Sequence, residues 1–428
     1  MDAAKKTRVL ERTRPTPVAQ SQRGERQVVL PMTREQFDAC WEDADRVRKW
    51  VDHALAEHPE LFPPCLRSGY ALHGFGRVSQ KLPGVRLRKI RPKGGGPAYH
   101  LRPSFVMSFM TGTTDELEYP LFLASFGVPC WVLALGFGHS ETYWYRLVER
   151  IGRNQVVGTT IRDPKRLPEH VAADEHHVDW NGAKGYVATT AAEGCILGIA
   201  LTAGADDEHL TAAYGEFAVE AREVDPAYVP ETVNTDGWAA TQNAFRASFP
   251  GIVVILCFLH GFLKIRDRCR KNRDLHERIW TVYWATTATE FKALMAAFRA
   301  WFESHAWPKA VGEMVAKLWN RTEQYAVAYD HPGCHRTSNA VDRPMNRLCR
   351  LMYAGRGLHG HQARSQRRLR GWALLLNFRP FARRSGRVRQ EHSRAHRLNG
   401  KRYSDRWLEN LQIAASLMGH HQTAPAIR

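Results

Sequence analysis

Thr232-Val-Asn-Thr-Asp-Gly-Trp238 is the stretch on which the reading of the chain turns. A β-favouring run stops at Asp236, and Gly237 breaks it. A helical pattern of apolar residues follows at Ala239, Ala240, Ala244, Phe245 and Phe249. A second apolar run, Ile252-Val-Val-Ile-Leu-Cys-Phe258, comes directly after Pro250-Gly251. Strand ends in an α/β sheet open onto a crevice, so a carboxylate at the C-terminal end of a buried strand, with a helix next, stands where such sheets place their chemistry. The competing reading makes Asp236 the N-cap of the helix, its oxygen accepting from the first free amides. The fragment alone leaves both open.

Upstream, Val171-Ala-Ala-Asp174-Glu175 runs on to Val178 and Trp180 and meets a turn at Asn181-Gly182. Gly185-Tyr-Val-Ala-Thr-Thr190 follows, then a turn at Glu193-Gly194, then Cys195-Ile-Leu-Gly-Ile-Ala-Leu201. Three strands joined by tight turns predict an antiparallel meander. Strand alternation sends Asp174 and residue 176 to one face and Glu175 to the other. Asp174 is favoured as the functional acid over Glu175 and Asp179, because it follows the apolar Val171-Ala-Ala. An amphipathic helix (Leu210, Ala213, Tyr214, Phe217, Ala221) opens at Asp206 and Asp207 and stops near Pro226. Downstream, residues 271–325 read as helices carrying Trp280, Trp284, Trp301, Trp307 and Trp319, a helical core rather than a base-stacking surface. The loop Gly333-Cys-His-Arg-Thr-Ser-Asn339 then leads into a helix from Ala340 to about Tyr353 that holds Asp342. Asp342 has its own bland reading, an acid in the first helical turn that complements the helix dipole.

The 428 residues carry 61 Lys+Arg against 43 Asp+Glu, a formal net charge of +18. With 44% hydrophobic residues the chain folds rather than staying disordered, and so basic a surface favours a polyanion, nucleic acid being the common one. No apolar run reaches the roughly 18 residues of a spanning helix, and the N-terminus lacks the apolar core of a signal peptide; a membrane partner is therefore not expected. The eight cysteines are scattered with no CxxC, which predicts reduced thiols in a cytosolic protein. Gly74-Phe-Gly76 lacks the rest of a nucleotide fingerprint and no P-loop is present, so no nucleotide cofactor is expected.

Residues 1–27 read as a disordered basic arm. From residue 28 to 110 a small α+β region is expected. It starts with a helix capped by Thr33 and Gln36 and continues through strand-like pieces at Tyr70–His73, Val85–Arg91 and Tyr99–Arg102, with Arg86, Arg88 and Arg91 on a half-exposed face. Residues 111–155 read as a helix-turn-helix-like unit: Glu116 to Phe126, Val128 to about Leu135, and Glu141 to Ile151 with Ser140 as N-cap. The last helix would present Thr142, Tyr143, Arg146 and Arg150 to DNA, although any three-helix packing unit shares this pattern. From His361 to Arg402 there are thirteen Arg/Lys and one acid, Glu391. Apart from the apolar helix Trp372-Ala-Leu-Leu-Leu-Asn-Phe378, this is expected as a basic tail over 386–428.

The order β-β-β-α-β-α-β then helix, with Ala172-Ala-Asp174-Glu175, Asn234-Thr-Asp236-Gly-Trp238, Cys257-Phe-Leu-His260 and Ser338-Asn-Ala-Val-Asp342-Arg343, resembles a bacterial insertion-sequence transposase of the DDE/DDD type. The resemblance covers about residues 165–380. It implies an α/β fold with a ribonuclease H-like core (a mixed five-stranded sheet with flanking helices), split into residues 165–270 and 326–385 by the Trp-rich helical insertion 271–325 and preceded by a mainly α-helical DNA-binding region. It implies DNA strand cleavage and strand transfer at terminal inverted repeats. Asp174, Asp236 and Asp342 would be both catalytic residues and ligands for two Mg²⁺ ions, with Mn²⁺ as a substitute. His260, Cys257, His335 and Arg336 are candidate active-site support. Tyr143, Arg146, Arg150, Lys264, Arg266, Arg268, Arg367 and Arg368 are candidate DNA contacts. The expected partners are double-stranded DNA, as transposon ends and target, and further copies of the chain in a dimer or larger assembly, in a bacterial cytoplasm near the nucleoid. Two departures stand out. The third acid is an aspartate where many relatives carry glutamate, and 106 positions separate it from Asp236. A non-catalytic DNA-binding regulator on this scaffold, or a structure-selective nuclease of the same fold, are the alternatives.

Overall fold

The computed structural model describes residues 25–355, 357–382 and 392–421. Most of the basic arm expected over 1–27, and residues 386–391 and 422–428 of the expected tail, lie outside the described residues.

The chain is a mixed α/β protein with two sheets. The first sheet has the order β1-β4-β3-β2, from β1 (Gln27–Leu30), β2 (Tyr70–Phe75), β3 (Arg88–Pro92) and β4 (Tyr99–Pro103). β1 runs parallel to β4. Helices α1 (Arg34–Cys40) and α2 (Ala44–Glu57) cover it. Thr33 and Gln36 close a reciprocal capping box, Gln36 N donating to Thr33 Oγ1 at 3.3 Å and Thr33 N to Gln36 Oε1 at 2.8 Å. The half-exposed basic face expected on β3 is corrected at Arg88, which is buried and donates to the Trp41 carbonyl at 2.5 Å while stacking on Phe75.

Three helices follow, α3 (Thr114–Ala124), α4 (Cys130–Phe137) and α5 (Glu141–Ile151), the last capped by Ser140 through the Tyr143 amide.

The second sheet has the order β7-β6-β5-β8-β9. β5 (His170–Trp180), β6 (Ala183–Ala192) and β7 (Cys195–Thr202) form the antiparallel meander. Asn181-Gly182 and Glu193-Gly194 both hold two consecutive positive φ angles, the geometry that suits two-residue hairpins. β8 (Thr232–Thr235) runs parallel to β5, and β9 (Val253–Leu256) parallel to β8. Side-chain alternation divides the packing. Val171, Ala173, Leu197 and Val233 pack with α6 (Asp207–Val224) and α7 (Ala239–Ser248) on one face. Ala172, Val178 and Ile196 pack with α12 (Asn339–Ala354) and α13 (Gln362–Phe378) on the other. In the chain, β9 is followed by α8 (Phe258–Arg268), α9 (Arg273–Tyr283), α10 (Ala288–Glu303) and α11 (Lys309–Trp319), which have their own apolar core and precede α12. Trp280, Trp301, Trp307 and Trp319 pack against that core, whereas Trp284 is 73% exposed.

Residues 392–421 are not a tail. They form α14 (Arg394–Asn399) and α15 (Trp407–Ala414), and Leu408, Leu411, Ile413 and Leu417 are buried. This segment knits the two sheets together. Arg102, fully buried, donates to Gln412 Oε1 at 2.9 Å, and Val29 N donates to Ser416 Oγ at 3.1 Å. No helix among the described residues is long and apolar enough to cross a membrane.

Candidate active site

Asp174 lies four residues into β5, on the same side as Ala172 and Val178, so it faces α12. His176, next on that side, reaches Cys349 of α12, Nε2 to Sγ at 3.1 Å. Glu175 points the other way, where it is sealed by the hydroxyls of Tyr214 and Thr241, the latter at 2.5 Å. The alternation thus separates the two neighbouring acids as the sequence suggests. Burial pushes the Asp174 carboxyl up to about 7, helped by the charges of Glu175 and Asp236 and opposed by His260. Glu175 is also raised, by burial first, while its two hydroxyl donors hold it down in part.

Asp236 follows β8 on the neighbouring parallel strand, within electrostatic reach of Asp174. Its Oδ1 accepts from the Trp238 amide at 2.8 Å, a side-chain turn two residues on. The N-cap of α7 is Trp238, which supplies no side-chain cap, so Asp236 is not the cap of that helix. Gly237 has φ +97°, and a Cβ there would meet Arg321 Nη1 at 3.3 Å; glycine is what lets the chain turn under this arginine.

Ser338 joins the third acid to the rest. Buried at the start of α12, it does not cap the helix backbone. Its hydroxyl donates to Asp342 Oδ2 at 2.7 Å, accepts from the Cys257 thiol at 3.4 Å, and lies 3.4 Å from His260 Nδ1. The Ser338 amide donates to Cys257 Sγ at 3.1 Å. Cys257 and His260, a turn apart at the start of α8, are thereby tied to Asp342 through one hydroxyl. Hydrogen bonding to Cys257 pushes the His260 imidazole up to about 9; burial opposes, and the charges of Cys257, Asp174 and Asp236 add to the rise. Sequence reasoning did not assign Ser338 a role; the serine–aspartate spacing of one helical turn was the available signal.

An open cleft of about 680 Å³ runs from Asp236 and His260 across the helical insertion. Lys264 and Arg268 line it, as do Lys317 and Arg321, which were not expected. Asp267, an acid among these lining residues, pairs with Arg266 at 3.0 Å.

Other expected residues are used differently. Arg336 donates to the Tyr283 carbonyl at 2.6 Å and the Tyr329 hydroxyl at 2.5 Å, and is stacked between those two rings. It clamps the insertion to the loop before α12 instead of supporting the acids. The His335 carbonyl accepts from buried Asn234 at 2.7 Å, while its half-buried ring lines a separate cavity behind α12. Arg367 is held in a largely buried pair with Glu149 at 2.7 Å, and Arg368 lies over Tyr145. Tyr143 donates its hydroxyl to the Thr111 carbonyl at 2.8 Å, and Arg150 lies over Phe109. Of the residues proposed for DNA on α5, Arg146 is an exposed cation and Arg150 is half-buried.

Three aspartates are hard oxygen donors of the kind Mg²⁺ takes; Asp174 is raised first by burial and then by the charges of Glu175 and Asp236, and a cation there would favour its ionised form. Their oxygens do not all approach one another within 4.8 Å. Among the described residues the set that does is Glu169, His170 and Glu231, at the opposite end of β5 and β8. The chain matches no protein-family model and aligns significantly with no curated protein.

Proposed function

We propose that the chain is a DNA transposase of the DDE/DDD type with a ribonuclease H-like core, acting on double-stranded DNA as a dimer or larger assembly. The observation that carries this reading is that acids on β5, after β8 and on α12 all lie around His260. The charge of Asp236, at the end of the parallel strand next to β5, helps raise Asp174, and Asp342 is linked to the same place through Ser338 and His260. The sheet order β7-β6-β5-β8-β9, with helices on both faces and the acid-bearing α12 packed on β5, supports the fold assignment.

Asp174, Asp236 and Asp342 would hold the metal, with Mn²⁺ replacing Mg²⁺. When bound, such ions supply Lewis-acid charge to the attacking and leaving oxygens of phosphoryl transfer. His260 keeps its proton near neutrality, and its cation holds the Ser338 hydroxyl that orients Asp342. Lys264, Arg268, Lys317 and Arg321 bind backbone phosphates along the cleft.

The test is Mg²⁺-dependent end cleavage by wild type and by Asp236→Asn. Loss of about a thousandfold or more in cleavage, with DNA binding retained, is expected, and undiminished cleavage would sink the assignment. The spacing of the three aspartates favours one other reading, a DNA-binding regulator on the same scaffold. Specific DNA binding by wild type with no nicking in Mg²⁺ or Mn²⁺ would decide for it.

A further inference from the structure

Thr189 on β6 is wholly buried, yet its hydroxyl has no hydrogen-bond partner. The β5–β6 register sets it directly across from Asp174, and β7 places Ile199 on its other side. Residues directly opposite in an antiparallel pair stand on one face of the sheet, with Cβ atoms about 5 Å apart. Val187 and Ala191, two positions either way along β6, pack with Ala172 and Ile199 on the α12 side, so Thr189 shares the face of Asp174. The carboxylate opposite is only half satisfied. Its Oδ1 accepts from the Glu175 amide at 2.9 Å, and among the described residues nothing donates to Oδ2.

A buried hydroxyl without a partner lowers stability, because its bonds to water are lost and not replaced. Of the side chains beside it in the sheet (Val187, Ala191, Ile199 and Asp174), only Asp174 carries an acceptor. His176, the diagonal neighbour, is taken up with Cys349. A turn about χ1 exchanges the hydroxyl and methyl positions of threonine, so the donor can swing toward the opposite carboxylate without moving the backbone. Carboxylates that bind metal are themselves hydrogen-bonded as a rule, and this fixes their orientation.

We propose that Thr189 is a positioning residue for Asp174, its hydroxyl donating to Oδ2 and holding the carboxylate in the orientation a divalent cation requires. The inference rests on the reading of Asp174 as a metal ligand. Thr190 supplies the contrast. Its hydroxyl is also buried without a partner, but it stands on the other face, between Ala173 and Gly198, with no acid opposite. An unused donor facing a half-used acceptor is what separates the two threonines.

The experiment titrates Mn²⁺ into the full chain, reads free Mn²⁺ by electron paramagnetic resonance, and takes the part of the binding that Asp174→Asn abolishes. Thr189→Val should weaken that part about tenfold or more, the effect usual for residues that hold a metal-binding carboxylate, and Thr189→Ser should restore it to within about threefold. Thr190→Val should leave it unchanged. In thermal unfolding without metal, Thr189→Val should melt no lower than wild type, because it loses an unsatisfied hydroxyl and keeps the branched shape. Equal Mn²⁺ affinity in Thr189→Val and wild type overturns the inference and leaves the metal reading of Asp174 standing. Mn²⁺ binding that Asp174→Asn does not reduce would remove that reading and the inference with it. If Thr189→Val and Thr189→Ser both melt well below wild type, Thr189 has a packing role and the inference is wrong.

Discussion

Gly371→Ala should destabilise the protein, although alanine is the better helix former. Gly371 on α13 faces Gly152 at the end of α5, and the two helices meet backbone to backbone. A Cβ on Gly371 would stand 2.1 Å from the Val148 carbonyl oxygen and 3.1 Å from the Gly152 amide nitrogen. The reciprocal Cβ on Gly152 would stand 1.7 Å from the Arg367 oxygen. Ordinary carbon–oxygen contacts begin near 3.3 Å, so the helices must part by on the order of 1 Å. A gap of that size forfeits roughly a quarter to a half of each van der Waals well across the seam. Trp144, Leu147 and Ile151 meet Leu374, Leu375 and Phe378 in that seam, and the Glu149–Arg367 pair spans it. Against the gain of about 1 kcal/mol from helix propensity, overpacking of this kind should leave a net loss of about 3 kcal/mol. Thermal unfolding should shift down by roughly 6–12 °C. Gly215→Ala is the internal control. It lies in α6 with nothing within 4 Å of the added Cβ, so it should be neutral or stabilising by up to about 1 kcal/mol. If Gly371→Ala behaves like Gly215→Ala, the three-helix unit is not welded to the core and the packing argument fails.

Two further outcomes follow from single side chains. Ser338→Ala removes the hydroxyl that joins Asp342 to His260 and Cys257. A hydrogen bond to a charged group contributes about 1.5–3 kcal/mol, so Mg²⁺-dependent cleavage should drop ten- to a hundredfold at unchanged duplex affinity; equal loss of both would point to a misfolded α12. His421 lies against the Gly158 and Ile161 carbonyls, and burial followed by the charge of Arg162 pushes its imidazole down to about 4. Below its ordinary value of 6.5 the unfolded chain takes up a proton that the folded chain refuses, so stability is lost as pH falls from about 6.5 to 4, by on the order of 3 kcal/mol in total. Chemical denaturation of His421→Gln against wild type at pH 7 and pH 5 should show the variant less sensitive to acid, and parallel losses would contradict this account.

The second sheet was legible because its signals are local. Asn181-Gly182 and Glu193-Gly194 mark the hairpins, and the apolar runs on either side have the length and period of strands. The same alternation separates Asp174 from Glu175 in the sequence itself. What the sequence hid depends on partners far along the chain. Arg367 reads as a free cation until Glu149, 218 positions away, is seen beside it. Arg336 sits next to a predicted acid-bearing helix, yet its planar group finds two tyrosine rings and a carbonyl in the insertion. The C-terminal segment was misread on composition, because the thirteen Arg/Lys from His361 to Arg402 dominate the average and the short apolar stretch after them does not. Leu408 and Leu411 pack into the core of the three-helix unit and Ile413 into that of the first sheet, so α15 is buried between them.

Asp342 and the arginines after it explain each other's placement. α12 lies directly on β5, its Val341, Met345 and Leu348 against Ala172 and Val178. That packing turns Arg343 and Arg347 away from the sheet, because residues one and five positions beyond Asp342 fall on another side of the helix. One helix therefore presents a carboxylate toward Ser338 and His260 and a row of guanidiniums toward Glu193 and α14.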